Sequence, residues 1–254
     1  MWLSWSKPGI AYLDRGVIAV MKTDGGAAKV LTCADGGEFD ALKAALSEEP
    51  ARSWRLLLGP SKVDWAAVDR VPNIWRRHER EAATKAILST QGGSMRLAPA
   101  GEIHVADPAY GSRWVAYALP TPVAESANAL VDEHGIRVRS VESIAGAVAT
   151  ALDHSSGQPH LIAMICAHDV AWIVKSRAAV LECGVWKGAA DEESALVDCD
   201  RLQLGYGIPL ELRLVLRLGL AIPESDDLEN RRGDWRWRDP MLSGLCRLVE
   251  RPST

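Results

Sequence analysis

A pattern of short apolar segments that occurs twice constrains this chain more than any other feature. Residues 8–31 read PGIAYLDRGVIAVMKTDGGAAKVL, and residues 159–181 read PHLIAMICAHDVAWIVKSRAAVL. The spacing between the copies is nearly constant for three matching pairs: Pro8 with Pro159, Lys22 with Lys175, and Val30 with Val180. Turn-linked apolar runs of this length are typical of strands. The repeat therefore predicts two copies of one folding unit.

Each copy continues beyond the repeated segment in the same order of three strands, a helix and a strand. In the first copy these are 9–13, 17–22, 28–33, a helix over 38–46 and a strand over 54–58. In the second copy they are 160–166, 170–176, 179–185, a helix over 192–204 and a strand over 210–218. The turn residues and the switch from alternating to helical periodicity support this order.

A separate stretch with helical and strand segments lies between the copies. It predicts helices over 76–88, 122–134 and 144–152, with strands over 114–119 and 136–141. Because strands and helices alternate here, the two strands are predicted to pair in parallel.

Composition excludes several classes of function. The 254 residues carry a formal net charge of -4, so there is no electrostatic case for binding nucleic acid. The five cysteines form no CxxC pair, which argues against a disulfide framework and a zinc site, and the histidine spacing predicts no other metal site. No signal peptide or membrane-length apolar run is visible, which predicts a cytosolic protein or a cytosolic piece of one.

Two longer segments resemble a known family. They are LLLGPSKVDWAAVDRVPNIWRRHEREAA at 56–83 and WVAYALPTPVAESANALVDEHGIRVRSVESIAGAVATAL at 114–152. Together with the repeat, they resemble the PilM and GspL group of the actin-like ATPase superfamily, the cytoplasmic scaffolds of type IV pilus and type II secretion machines.

The resemblance implies an α/β fold of two duplicated ribonuclease H-like lobes, each opening with a three-stranded antiparallel meander. The first lobe would span 1–152, with an inserted α/β subdomain at about 62–120, and the second would span 153–254. It also implies a cytoplasmic protein, peripheral to the inner membrane, that binds the cytoplasmic tail of a pilus or secretion protein. The resemblance further implies that the protein binds an assembly ATPase as a second partner and that it forms a homodimer.

In ATP-binding members of the superfamily, the first hairpin turn of each lobe binds phosphate. Here the first turn keeps Asp14 and Gly16, but apolar residues follow where small hydroxyl residues would bind phosphate. The second turn contains Asp169 and has no D-x-G sequence. We therefore interpret Asp14, Gly16 and Asp169 as vestigial phosphate turns, or as ordinary hairpin residues. No cofactor is predicted, with ATP and Mg²⁺ in the interlobe cleft as the alternative.

Tryptophan usage offers a second candidate site. The segment Trp235-Arg236-Trp237-Arg238 places two indoles on one face of an extended chain and two guanidinium groups on the other. Tryptophan and arginine contribute disproportionately to protein interfaces, which favours a partner-binding surface. The alternative is that the indoles cover the lobe and the arginines are solvated.

Three hypotheses for the function follow. The first is a non-catalytic scaffold that binds a partner's cytoplasmic segment, for which an exposed strand edge is a suitable receptor. The second is a nucleotide-binding actin-like ATPase or kinase-like protein. The third is an unrelated α/β enzyme. No catalytic residue is predicted, because the sequence has no GxxxxGK[ST], HExxH or GxSxG motif.

Overall fold

The computed structural model describes most of the chain. The described residues are 8–21, 28–48, 53–74, 76–90, 101–106, 113–132, 136–176, 179–188, 191–218 and 235–250. In chain order, the strands are β1 (Gly9–Asp14), β2 (Val17–Met21), β3 (Lys29–Thr32), β4 (Trp54–Leu58), β5 (Asp64–Asp69), β6 (Gly101–Ala106), β7 (Arg113–Pro120), β8 (Val138–Ser143), β9 (Leu152–His154), β10 (Pro159–Ile165), β11 (Asp169–Ser176), β12 (Ala179–Lys187), β13 (Arg213–Leu218), β14 (Trp235–Trp237) and β15 (Cys246–Glu250). The α-helices are α1 (Glu38–Ser47), α2 (Arg77–Thr90), α3 (Thr121–Asp132), α4 (Ile144–Ala151), α5 (Glu192–Tyr206) and α6 (Pro240–Ser243), and a 3₁₀ helix spans Leu210–Leu212.

The two copies of the sequence pattern form two five-stranded sheets. The first has the order β3-β2-β1-β4-β8 and the second the order β12-β11-β10-β13-β15. In each sheet the three consecutive strands are antiparallel, and the first of them also pairs in parallel with the strand that follows the helix. The sheets differ at the far edge, because β8 is parallel to β4 whereas β15 is antiparallel to β13.

A third sheet corrects the predicted pairing between the copies. The strand predicted over 114–119 exists as β7, but it pairs antiparallel with β5 and β6. The strand predicted over 136–141 exists as β8 and joins the first sheet beside β4. The predicted parallel pair is therefore wrong. An apolar run such as β7, buried from Trp114 to Leu119, shows that a strand is central but carries no information about which strands flank it.

Helix α4 connects the three sheets. It contacts β4 and β8 of the first sheet, β11 of the second, and β6 and β7 of the third. Seven of its eight residues are buried, and five of the eight are glycine or alanine, so that strands approach it closely on several sides. Ser143 caps its first turn by accepting a 3.0 Å hydrogen bond from the N–H of Gly146. One continuous buried cluster includes residues of both five-stranded sheets and of α4.

A buried lysine attaches α4 to the second sheet. The Nζ atom of Lys175 donates hydrogen bonds of 2.6 Å to the carbonyl oxygens of both Ala149 and Leu152, and lies 3.0 Å from Oδ1 of Asp153. Burial lowers the pKa of Lys175, and Asp153 opposes this shift. A cation at the carboxyl end of a helix is favoured by the helix dipole and by unsatisfied carbonyl groups.

We expect Lys175→Met to lower the free energy of unfolding by about 2–4 kcal/mol, because two buried carbonyl groups lose their donor. Urea denaturation followed by circular dichroism measures this change. The matched control is Lys85→Met, which removes an exposed lysine of α2 and should cost under about 0.5 kcal/mol. Equal effects of the two substitutions would contradict a stabilising role for the Lys175 contacts.

Three rings pack where β14 meets β9 and β10. The ring centroids of His154 and Trp235 are 4.6 Å apart, and those of His160 and Trp235 are 5.1 Å apart. His160 is fully buried, and within the described part of the chain its Nε2 atom has no hydrogen-bond partner. Burial and, secondarily, the charge of Lys175 lower the pKa of His160 to about 4.

This lowered pKa makes stability depend on pH. Between pH 4 and the ordinary histidine value of about 6.5, the unfolded chain binds more protons at this residue, so stability falls as the pH falls. We expect His160→Phe to remove about 3 kcal/mol of the pH-dependent loss over this range. Urea titrations at several pH values test this, with His78→Phe on exposed helix α2 as the control. Parallel curves for wild type and His160→Phe would contradict the assignment.

Candidate functional site

The two turns singled out by the sequence lie near each other inside the protein. The hydroxyl of Tyr12 donates a 3.1 Å hydrogen bond to Oδ2 of Asp14, and the thiol of Cys166, the residue after β10, lies near this pair and donates to the carbonyl oxygen of Met164 at 3.6 Å. Burial raises the pKa of Tyr12 and of Cys166, and the Asp14 carboxylate raises both further. The turn residues thus meet in a desolvated environment.

Asp14 holds the turn that follows β4. Its Oδ1 atom accepts a 3.0 Å hydrogen bond from the backbone N–H of Ser61. Gly59 packs directly on the carboxylate, since a Cβ atom at this glycine would lie 2.4 Å from Cγ of Asp14. Both oxygens of Asp14 are therefore engaged by groups of the protein itself.

Gly16 adopts the left-handed conformation that the tight turn requires, with φ at +63°. Its N–H donates a 3.0 Å hydrogen bond to Oε1 of Glu38, which also lies 2.9 Å from Nζ of Lys62. Burial alone would raise the pKa of Glu38, but the Gly16 N–H and the Lys62 ammonium outweigh it and lower the pKa. The N–H of Gly16, which a phosphate loop would offer to the phosphate, here donates to the carboxylate of Glu38.

Asp169 is also engaged by the protein itself. Its Oδ1 accepts a 2.9 Å hydrogen bond from the N–H of Gly188, and its Oδ2 lies 3.9 Å from Nζ of Lys187. Lys187 donates to the carbonyl oxygen of Pro60 and lies 3.7 Å from Oδ1 of Asp64. We call the set Asp14, Gly59, Pro60, Asp169 and Lys187 the inter-sheet contact, because it joins the first and second sheets.

The third sheet also bonds to the second sheet, along β12. Trp65 of β5 donates from Nε1 to the carbonyl oxygen of Gly184 at 3.3 Å. Arg113 of β7 donates to the carbonyl oxygen of Leu181 and lies 2.9 Å from Oε2 of Glu182. The third sheet thus packs on the edge of the second. No sequence pattern identifies Ser61, Glu38 or Lys187 as partners of these turns, because their roles depend on strands far apart in the chain.

Buried tryptophans alternate with exposed arginines in the segment Trp235–Arg238. Trp235 and Trp237 of β14 are 3% and 8% exposed, because β14 pairs with β9 and turns both indoles into the protein. Arg236 is exposed, and Arg238 forms an ion pair with Asp153. This burial favours the interpretation in which the indoles cover the lobe. Within this segment, the two arginines are the side chains accessible to a partner.

A pocket of about 290 Å³ lies between the first sheet and the third. Its lining comes from five elements: Arg77 of α2, His104 of β6, Leu119 of β7, Ala124, Ala127, Asn128 and Val131 of α3, and Val138, Arg139, Ser140 and Val141 of β8. Six of these side chains are apolar, and the exposed residues Val131 and Arg139 show that the pocket reaches the surface.

The pocket lies along a strand edge. Successive side chains of a strand point to opposite faces, so a cavity lined by four consecutive residues of β8 must lie beside that strand. In the described sheets, β8 pairs only with β4, and β6 pairs only with β7. Two strands with one unpaired edge each therefore flank the pocket. We call it the β8 groove.

Hydrogen bonds fix the walls of the β8 groove. The hydroxyl of Tyr117 donates a 2.9 Å hydrogen bond to the carbonyl oxygen of Val141, joining β7 to the outer edge of β8. Arg77 lies 2.8 Å from Oε1 of Glu81, and His104 contacts both side chains through Nδ1, at 3.0 Å from Arg77 and 3.3 Å from Glu81. The groove is thus preformed, with apolar walls and polar groups at its rim.

Sequence reasoning does not find this groove. The Arg- and Glu-rich helix and the strand–helix–strand segment are visible as local patterns, but β5 and β6 are not predicted. Asn128 and Arg139 carry no motif, because their proximity depends on the pairing of β8 with β4.

Comparisons with known proteins identify the fold of the chain but do not assign it to a family. No protein-family model matches the chain, and no curated protein matches it. A protein of Bacteroides thetaiotaomicron, described as having an actin-like ATPase fold and unknown function, superposes with a TM-score of 0.56 at 8% identity, over 89% of this chain and 87% of that one. The PilM–PilN type IV pilus biogenesis complex gives a TM-score of 0.56 at 11% identity, over 84% and 81%.

The chain has the actin-like ATPase fold. The resemblance seen in the sequence is thereby confirmed at the level of the fold. The cytoplasmic domain of EpsL, an inner-membrane component of the Vibrio cholerae type II secretion system, is also similar, with a TM-score of 0.46 at 14% identity over 70% of each chain. Among the described residues, no helix has the length and apolar character needed to cross a membrane.

The packing of Gly59 on Asp14, on the first-sheet side of the inter-sheet contact, can be tested by a pair of substitutions. We expect Gly59→Ala to cost about 1–3 kcal/mol, because its Cβ would collide with the Asp14 carboxylate. Asp14→Ala should cost about 1–3 kcal/mol through the lost bonds to Tyr12 and Ser61. The double variant should lose at least about 1 kcal/mol less than the sum, since the smaller side chain removes the collision. Additive effects in urea denaturation would refute the contact.

Proposed function

We propose that this protein is a non-catalytic scaffold that binds an extended segment of a partner protein in the β8 groove. The observation that carries the proposal is the run of four consecutive β8 residues along the pocket, beside an unpaired strand edge. The carbonyl oxygen of Val141 on this edge already accepts from Tyr117, so an added strand would gain its main-chain hydrogen bonds from the residues of β8 before Val141, and neighbouring pockets would select its side chains. The groove provides both features.

The composition of the groove fits a peptide better than a small polar metabolite. Aliphatic side chains of α3, β7 and β8 form most of its lining, with Asn128 and Ser140 as the neutral polar groups. Burial of apolar side chains is the main source of binding free energy at such sites, at about 25 cal/mol per Å². A partner segment with aliphatic residues would exploit these walls.

The inter-sheet contact supports a non-catalytic role. In this proposal the two five-stranded sheets are ribonuclease H-like lobes, spanning 1–152 and 153–254, with the third sheet inserted at about 62–120. The turns equivalent to phosphate loops use Asp14, Gly16 and Asp169 for internal bonds. Binding of ATP and Mg²⁺, the alternative function, requires these bonds to be released, at a cost that the ligand must offset.

The setting that we propose is an assembly platform at the inner membrane. The fold is shared with a chain of the PilM–PilN type IV pilus biogenesis complex. By analogy, this chain would belong to the PilM and GspL group, lie in the cytoplasm at the membrane, and bind the cytoplasmic segment of a membrane protein. An assembly ATPase as a second partner, and self-association into a homodimer, are parts of the same analogy.

Site-specific crosslinking in the native host tests the proposed function. We expect p-benzoylphenylalanine at position 128, an exposed residue of α3 that lines the groove, to crosslink to the cytoplasmic segment of an inner-membrane protein. The matched control is the same residue at position 125, which is exposed on α3 but does not line the groove. Mass spectrometry of the crosslinked peptides identifies the segment. Identical products at both positions, or none from a membrane protein, would refute the proposal.

A further inference from the structure

We propose that the β8 groove selects a partner segment that carries an acidic residue beside aliphatic residues, and that Arg139 is the residue that recognises the acid. The inference rests on the proposed function and adds the chemistry of the partner. It follows from the charges of the groove and from the position of Arg139 on the unpaired edge of β8.

All charged or ionisable side chains that line the groove are basic types: Arg77, His104 and Arg139. Two of them are engaged, because Glu81 contacts both Arg77 and His104. Arg139 differs, since it is exposed and, among the described residues, no carboxylate pairs with it. The carboxylate of Glu142, three residues further along β8, is already paired with Arg55 at 3.2 Å. Within the described part of the chain, Arg139 is thus the cation of the groove that is left for a ligand.

The strand edge places this cation where a peptide would meet it. In a paired antiparallel strand, the residue opposite Arg139 would have its Cβ atom about 4.5–5.5 Å from that of Arg139. This separation suits an arginine–carboxylate pair, which can form two parallel hydrogen bonds. Neighbouring residues of the same peptide would reach the apolar side chains of α3 and β7. One acidic residue within two positions of an aliphatic residue is therefore the matching sequence.

The same arrangement disfavours a basic segment. A lysine or arginine opposite Arg139 would have no acidic lining residue to compensate the like charges. Specificity is a difference between affinities, and repulsion of the wrong partner contributes to it as much as attraction of the right one. Since the ion pair between Arg139 and the peptide lies at the exposed rim of the groove, each charge change should alter affinity by about two- to fivefold.

A displayed library of random dodecapeptides tests the inference while the partner is still unidentified. The library is selected on the immobilised full chain as wild type, Arg139→Glu, Arg137→Glu and Asn128→Trp, and the enriched peptides are sequenced. Arg137 is exposed but does not line the groove, so Arg137→Glu is a matched charge control. Asn128→Trp fills the groove from an exposed position and identifies peptides that bind there.

We expect wild type and Arg137→Glu to enrich peptides with an acidic residue near an aliphatic one, and Asn128→Trp to lose them. Selection on Arg139→Glu should enrich peptides with a basic residue at the position where wild type selects an acidic one. When single acidic and basic peptides are compared by fluorescence anisotropy, the ratio of their affinities should reverse by about tenfold between wild type and Arg139→Glu. The contrary result is a set of enriched peptides that is lost with Asn128→Trp and yet shows no preference for an acidic residue, or is enriched equally by Arg139→Glu. That result would overturn the role of Arg139 while the proposed function stands. If Asn128→Trp affects no peptide, the groove does not bind peptides and both proposals are wrong.

Discussion

Burial of helix α4 among three sheets is the constraint on which the other features of the structure depend. A helix that contacts strands on several sides must be nearly free of large or polar side chains, and the sequence IAGAVATA meets this requirement. Its last carbonyl groups cannot reach water, so Lys175 supplies the missing donors from the second sheet. The buried lysine is therefore a consequence of where α4 ends.

The position of α4 also relates the two regions that bear on function. At its amino end it follows β8, whose unpaired edge forms the groove, and at its carboxyl end it leads into the second sheet. The inter-sheet contact holds the second sheet against the turn after β4. The bonds of Tyr117 and Glu81 hold the walls of the groove in place, which reduces the entropic cost of ordering a binding site. This organisation suits a protein whose task is to hold a partner.

Much of the fold is predictable from local pattern. The strands of both repeated segments, helix α5 and the strand at 54–58 follow from apolar runs, turn residues and helical spacing. Pairing between distant segments is not predictable in the same way. Local pattern identifies β7 as a strand but not its partners β5 and β6, and the parallel pair predicted with β8 is wrong. The tryptophans of β14 likewise carry no indication of which face is buried.

The sequence by itself determined the local elements, their order and the repeat, because these depend on side-chain periodicity and backbone preferences within a few residues. It also identified Asp14, Gly16 and Asp169 as turn residues. Only the tertiary structure decided what those residues contact, since Ser61, Lys187 and Gly188 reach them from other parts of the chain. The groove also depends on the tertiary structure. A strand has an unpaired edge only where no other strand pairs with it, and this is set by the strand pairing of the whole sheet.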